Sequence, residues 1–246
     1  MSYYILPKIN NKILINPIYS NTEHLEPYIS NSLLYYYNEI IEQIKQSSVN
    51  IPETFNNYIK IINPYEFIYS KVPGSKFSVS KLKPNSNLFY DFLELSILLN
   101  IFEQYKHDAI KTLHLSYNKS DTIECIQMLR ENYDDEVTCD DNVNDEIIKL
   151  IGEKKFNFLF FEVDQNKMNG YIISLIEYLM IIIKNQVFGG TCVIKISEIF
   201  YKPVIDIIYI LSSLYDKVYI FKPNTSNVTT FEKYIICKNY LINDYK

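Results

Sequence analysis

"IKTLHLSYNKSDTIECIQML", Ile110 to Leu129, has the outline of a strand, a tight loop and a helix. In α/β enzymes that unit presents a glycine-rich loop to a cofactor, because glycine reaches positive φ and lets backbone N–H groups approach a ligand without a Cβ in the way. The loop here, Ser116 to Asp121, has no glycine. The unit therefore predicts a fold, and at the same time raises the question of what its loop still does.

Strands and helices alternate onward from that unit. "EVTCDD" reads as a short strand and "NDEIIKLIGEK" as a helix; "FNFLFFEVD" is a strand and "YIISLIEYLMIIIKNQ" a helix; "GGTCVIKIS" is a strand and "KPVIDIIYILSSLY" a helix. "KVYIFKP" and "FEKYIICKNYL" close the chain as two strands with no long helix between them, which suggests an antiparallel edge pair. Such alternation predicts a mainly parallel sheet covered on both faces. Upstream, "LFYDFLELSILLNIF" is a strongly apolar helix. "KVPGSKFSVSKLKPNSN" before it is a loop with a Pro73-Gly74 turn signal and the lysines Lys71, Lys76, Lys81 and Lys83.

Residues 1–60 read as an extension. "NKILINPIY" has the look of a strand or extended arm. "SNSLLYYYNEIIEQIKQ" places Leu33, Leu34, Tyr37, Ile40, Ile41 and Ile44 at helical spacing behind Ser30 or Asn31 as cap, and Pro52 opens a further helix in the first-turn position proline tolerates.

At 246 residues and 48% hydrophobic residues the chain can bury a full core. A formal charge of -5 argues against a globally basic nucleic-acid coat, while a local basic surface stays open. Tyr171 to Ile183 is too short for a membrane span and carries Glu177, so a buried helix is expected there. "MSYYILPKIN" lacks the pattern of a secretory signal. Cys125, Cys139, Cys192 and Cys237 have no metal-site spacing, so reduced thiols and a cytoplasmic setting are expected. His24, His107 and His114 are isolated, which predicts no metal site, with His114 packed in a strand. Of 24 basic residues only Arg130 is arginine, a usage that suggests an AT-rich genome and weakens any argument from the number of tyrosines or lysines.

The run from Gly189-Gly190 through Lys195, followed by the block Phe231–Tyr234, resembles the FtsJ-like ribose 2′-O-methyltransferases, especially the cap methyltransferases of large DNA viruses and eukaryotes. The resemblance covers roughly residues 61–246. It implies a Rossmann-like S-adenosylmethionine methyltransferase fold, an α/β sheet of seven mostly parallel strands with the last strand inserted antiparallel, here behind the helical extension. It also implies a Lys-Asp-Lys-Glu tetrad in which a lysine kept neutral by desolvation and cationic neighbours takes a proton from a ribose hydroxyl.

Matched position by position, Lys195 is the lysine after Gly-Gly, and Glu232 is the glutamate two residues before a tyrosine. Asp91, in "FYDFLEL", stands where the first lysine is implied, with Lys81 or Lys83 as conceivable substitutes. Glu162 is the match for the aspartate, with Asp164 the alternative, and no Gly-Gly follows either. The cofactor loop aligns with Ser116, Tyr117, Asn118, Lys119, Ser120 and Asp121. Asn and Asp tolerate left-handed φ, so the turn is expected to persist with side chains filling the cofactor's space. Asp140, beside Asp141, falls where a ribose-binding acid is usual.

These departures point to a catalytically inactive homologue with no cofactor, serving as an RNA-binding or accessory subunit in viral mRNA cap or tail processing. Capped RNA and a protein of that viral machinery are its expected partners, the host cytoplasm or viral factory (or the virion) its expected place. Lys71, Lys76, Lys81 and Lys83 would track phosphates, and Tyr35, Tyr36 and Tyr37 either stack bases or pack. The alternatives are an active S-adenosylmethionine-dependent RNA 2′-O-methyltransferase and a structural interaction module.

Overall fold

A computed structural model describes residues 2–9, 15–16, 18, 27–68, 80–131, 133–163 and 168–243. Its elements run β1 (Ser2–Ile5), α1 (Asn31–Asn50), α2 (Pro52–Ile62), a 3-10 turn (Pro64–Phe67), α3 (Leu88–Leu98), a second 3-10 turn (Glu103–Tyr105), β2 (Lys111–Leu115) and α4 (Lys119–Leu129). They continue as β3 (Glu136–Asp140), α5 (Asp145–Ile151), β4 (Phe156–Glu162), α6 (Met168–Asn185), β5 (Gln186–Ile196), α7 (Lys202–Leu214), β6 (Tyr215–Lys222) and β7 (Lys233–Tyr240).

Seven strands form one sheet in the order β1-β6-β7-β5-β4-β2-β3. β3, β2, β4 and β5 are mutually parallel, and β7 runs antiparallel between β5 and β6. The two final strands do pair, but not as an edge pair: β7 is inserted. The edge belongs to β1, antiparallel to β6, so the seventh strand comes from residues 2–5 and not from "NKILINPIY", most of which lies outside the described residues.

The strand sequences explain why the sheet is covered on both faces. In "FNFLFFE" nearly every residue is apolar, so alternate side chains meet opposite layers. Leu159 and Phe161 join α6 and α7 in one core with Leu113, Ile194 and Leu211. Phe158 and Phe160 join α3 and α4 in the other, with Phe92, Cys125, Val193 and Ile236. His114 is fully buried in that second layer, its Nδ1 2.9 Å from the Thr122 hydroxyl, and burial pushes its pKa down to about 3.

Pairing register then sets the site. Glu162 stands opposite Lys195, and Lys195 opposite Tyr234, so three polar residues point from adjacent strands into the layer where α3 begins.

Ser30 caps α1 by accepting from the Leu33 N–H at 3.3 Å. No residue of that helix is buried. Its inward stripe holds through Tyr37, whose ring packs on Phe200 and Phe231 at 5.3 and 4.7 Å and whose hydroxyl donates to Glu198. Tyr37 therefore packs, while Tyr35 and Tyr36 are exposed. All four cysteines are free thiols, Cys139 alone being exposed. Among the described residues no helix is long and apolar enough to cross a membrane, and no cluster of His, Cys, Asp and Glu could hold a metal ion.

Candidate functional site

Lys195 lies at the end of β5 with one-tenth of its side chain exposed. Its ammonium donates to Glu162 Oε1 at 2.9 Å and lies 3.4 Å from Glu232 Oε1. The strand ends bring these three residues together as their sequence positions imply. Asp164, the alternative to Glu162, lies outside the described residues.

Asp91 completes the group from the first turn of α3. It is buried; Thr225 Oγ donates to its Oδ1 at 2.6 Å and Tyr234 OH to its Oδ2 at 2.9 Å. Three residues on, Glu94 accepts from the backbone N–H groups of Asn224 and Thr225, fixing the loop after β6 over α3. Among the described residues, the exposed Lys81 and Lys83 make no polar contact with this group. Lys71 and Lys76 lie outside the described residues.

The charges settle how Lys195 behaves. Burial alone would lower its pKa, but Glu162, Glu232 and Asp91 together outweigh burial and raise it above the ordinary lysine value. Glu162 responds in the opposite sense: burial would raise it, while Lys195, Ser116 and Asn118 hold it below the usual glutamate value. Burial pushes Asp91 up to about 6 against the pull of Thr225, Tyr234 and Lys195. Lys222 sits nearby on β6, lowered by burial, and spends its three N–H donors on the carbonyls of Asn227, Thr230 and Glu232 at 2.7, 3.1 and 2.8 Å.

The loop after β2 is self-satisfied. Ser116 is fully buried; its hydroxyl donates to Glu162 Oε2 at 2.5 Å and accepts from the Asn118 N–H at 3.0 Å. The Lys119 N–H bonds Ser116 O, and the Asp121 N–H bonds Asn118 O. No described residue of this loop has positive φ; Asn118 sits at φ -106° and α4 starts at the next residue. The turn persists, but not through the left-handed conformations expected of Asn and Asp. A tight right-handed turn closed by the serine makes them unnecessary.

Asp121 faces away from any ligand space: buried, it accepts from the Asn85 N–H at 3.0 Å and from the Ser86 hydroxyl, tying the end of the lysine loop to α4. Ser120 Oγ accepts from Asn85 Nδ2 at 3.3 Å. Asp140 spends both oxygens on the Asp141 N–H and on Asn144, the residue that caps α5 through Ile147. Asp141 pairs with Lys119 at 2.7 Å. Tyr117 is exposed.

Sequence reasoning missed Thr225, Lys222 and Glu94. Glu94 carried the available signal, since it sits three residues after Asp91 in the helical frame. Thr225, in the polar run "NTSN", carried none.

A model described as FtsJ-like methyltransferase matches residues 95–240, more than half of the chain, starting just after Asp91. No curated protein matches. Among solved structures, the rRNA methylase of Streptococcus thermophilus is 10% identical, with a TM-score of 0.36 over 65% of this chain and 99% of that one. Phosphoethanolamine N-methyltransferase 2 of Haemonchus contortus, solved with S-adenosyl-L-methionine, is 8% identical, with a TM-score of 0.36 over 63% of this chain. The chain spans about two fifths, 39%, of the length of that nematode enzyme.

Proposed function

The chain belongs to the FtsJ-like methyltransferase family, and on that premise we propose that it keeps the family's fold without its methyl transfer, acting as an RNA-binding or accessory subunit in viral mRNA cap or tail processing. The observation that carries this reading is the company Lys195 keeps. A base for a ribose hydroxyl needs a lone pair, and a lysine has one near neutral pH only when desolvation or a neighbouring cation depresses its pKa. Here Glu162 and Glu232 stand 2.9 and 3.4 Å from its ammonium and, with Asp91, raise its pKa against the effect of burial, the opposite of what a base requires.

The residues at the β2 edge support the same conclusion, since they do not fit S-adenosylmethionine. The N–H groups of Asn118, Lys119 and Asp121 are spent inside the loop, and Asp140 is spent on its own neighbours. The Ser116 hydroxyl is itself spent on Glu162, across the ends of β2 and β4. Lys81 and Lys83, with Lys71 and Lys76, supply phosphate contacts for RNA in the host cytoplasm or viral factory.

Calorimetry with S-adenosylmethionine is expected to show no binding, and capped RNA to receive no methyl group. Micromolar binding together with methyl transfer abolished by Lys195→Ala would establish the active enzyme instead. RNA affinity should fall with salt and weaken when Lys81 and Lys83 are neutralised.

A second reading, a protein-interaction module, draws on the N-terminal helices. Leu33, Tyr35, Tyr36 and Ile40 of α1 and Tyr58, Ile61 and Ile62 of α2 are all exposed, apolar surface that a partner protein would cover. Co-purification with a polymerase or capping enzyme, without RNA affinity, would favour it.

A further inference from the structure

A cavity of about 290 Å³ opens where α2 ends against the loop between β6 and β7. It is lined by Ile62, Asn63, Tyr65, Lys222, Asn224 and Val228. β6 runs parallel to β5, because β7 is antiparallel to both, so this cavity lies along the same sheet edge as Lys195. We propose that it is a binding site for one unstacked nucleobase of single-stranded RNA, with Tyr65 as the stacking platform.

The walls suit a flat heterocycle. Tyr65, Ile62 and Val228 are 60%, 70% and 43% exposed, so aromatic and aliphatic surface stands free among the residues that line the opening. Each base has a π-face, and an exposed tyrosine receives it without regard to sequence.

The floor is polar and rigid. Asn63 is buried and donates both Nδ2 hydrogens, to Asn224 O at 2.8 Å and Ser226 O at 3.2 Å. What its carboxamide offers a ligand is therefore the acceptor Oδ1, suited to the N–H groups of a base edge. Asn224 Nδ2 gives one hydrogen to Glu94 at 3.0 Å, so its carboxamide offers an acceptor and one further N–H. Lys222 contributes positive charge beneath the cavity but no spare hydrogen. Acceptors for N–H edges, apolar walls and a fixed cation describe a nucleobase followed by phosphate better than they describe an apolar peptide.

The cavity is also wired to the neighbouring groups. Its loop donates Thr225 to Asp91 and ends at Glu232 beside Lys195. On its other side the Ser80 N–H bonds Ile68 O, placing the start of the exposed Lys81–Lys83 stretch next to the 3-10 turn that carries Tyr65.

This inference rests on the RNA-binding reading, and the test separates the two. Fluorescence anisotropy of a labelled single-stranded RNA is measured with wild type, Tyr65→Ala, Tyr65→Phe and the Lys81→Gln/Lys83→Gln double variant, alongside calorimetric titration of adenosine 5′-monophosphate. Loss of one stacked base should weaken RNA binding about tenfold in Tyr65→Ala, while Tyr65→Phe stays within about twofold of wild type. The Lys81→Gln/Lys83→Gln variant should weaken binding with a shallower salt dependence. Tyr65 is exposed, so Tyr65→Ala should keep its fold, as circular dichroism checks. An unchanged affinity in Tyr65→Ala, with a loss in the lysine variant, overturns the nucleobase site and leaves RNA binding standing. Mononucleotide binding that Tyr65→Ala abolishes, in a protein that binds no RNA, keeps the nucleobase site and overturns the RNA reading. Binding of neither probe by wild type overturns both.

Discussion

Along one edge of the sheet, β4, β5 and β7 gather Glu162, Lys195 and Glu232 around a single ammonium, and α3 adds Asp91. Along the same edge, Ser116 after β2, Asp121 in the first turn of α4 and Asp140 at the end of β3 have side chains satisfied by the chain itself. The first half is held by charge, with the Lys195 ammonium set among three acids. The second half holds its turn and helix start through hydrogen bonds internal to the chain. A charge cluster can survive without its chemistry, because breaking a buried ion pair is costly whatever the pair once did. A cofactor loop carries no such penalty, and its amides can be satisfied by a nearby serine.

Glu162 is the residue that joins the two halves, accepting from Lys195 on one oxygen and Ser116 on the other. Glu162→Ala is therefore expected to have the largest effect. It strands Lys195 beside Glu232 and leaves the Ser116 hydroxyl unpaired, for a loss of about 3 kcal/mol in urea unfolding. If the loss is within a few tenths of a kcal/mol, the two halves are independent and the bridge is incidental.

Asp121→Ala sharpens the other side. It removes the acceptor for the Asn85 N–H and the Ser86 hydroxyl, and should cost about 2 kcal/mol of stability. Faster proteolysis around residues 80–87 should accompany it, because the tie to α4 is lost. A variant as stable as wild type would return Asp121 to the pool of possible ligand groups.

The order and kind of elements were legible in the sequence because continuous apolar strands and periodic helices dictate a two-faced sheet. The Glu162–Lys195–Glu232 group was legible only through the family resemblance, which matched each of the three to a place at or beside a strand end; periodicity alone singled out none of them. β1 was not legible: four residues at an edge, with Tyr3, Tyr4 and Ile5 all exposed, show no alternation to read. The insertion of β7 was implied by the family resemblance and not by the elements themselves, because adjacency in sequence predicts which strands pair but not which further strand takes the free edge. The hold of Thr225 on Asp91 was beyond sequence reasoning, joining residues more than a hundred positions apart through one hydroxyl.

Asp91 offers the finest test of the charge balance around Lys195, because its pKa is raised where that of Glu162 is lowered. Burial raises its pKa to about 6 from an ordinary value of 3.8. Between those values the folded protein holds a proton that the unfolded chain has released, so this group's contribution to stability is fully present below about pH 4. It falls away as pH rises through 6. Asp91→Asn cannot titrate and resembles the protonated acid, so the variant should match wild type near pH 4 and exceed it at pH 7. Two pKa units bound the gain at roughly 3 kcal/mol. One hydroxyl of the Thr225–Tyr234 pair must turn to meet an amide, which reduces the expected gain to about 1 kcal/mol. Urea titrations of both proteins at pH 4 and pH 7 measure the difference free of every other carboxylate. A variant less stable than wild type at pH 7 would mean that the negative charge of Asp91 is needed beside Lys195, and that the four residues form a balanced structural unit.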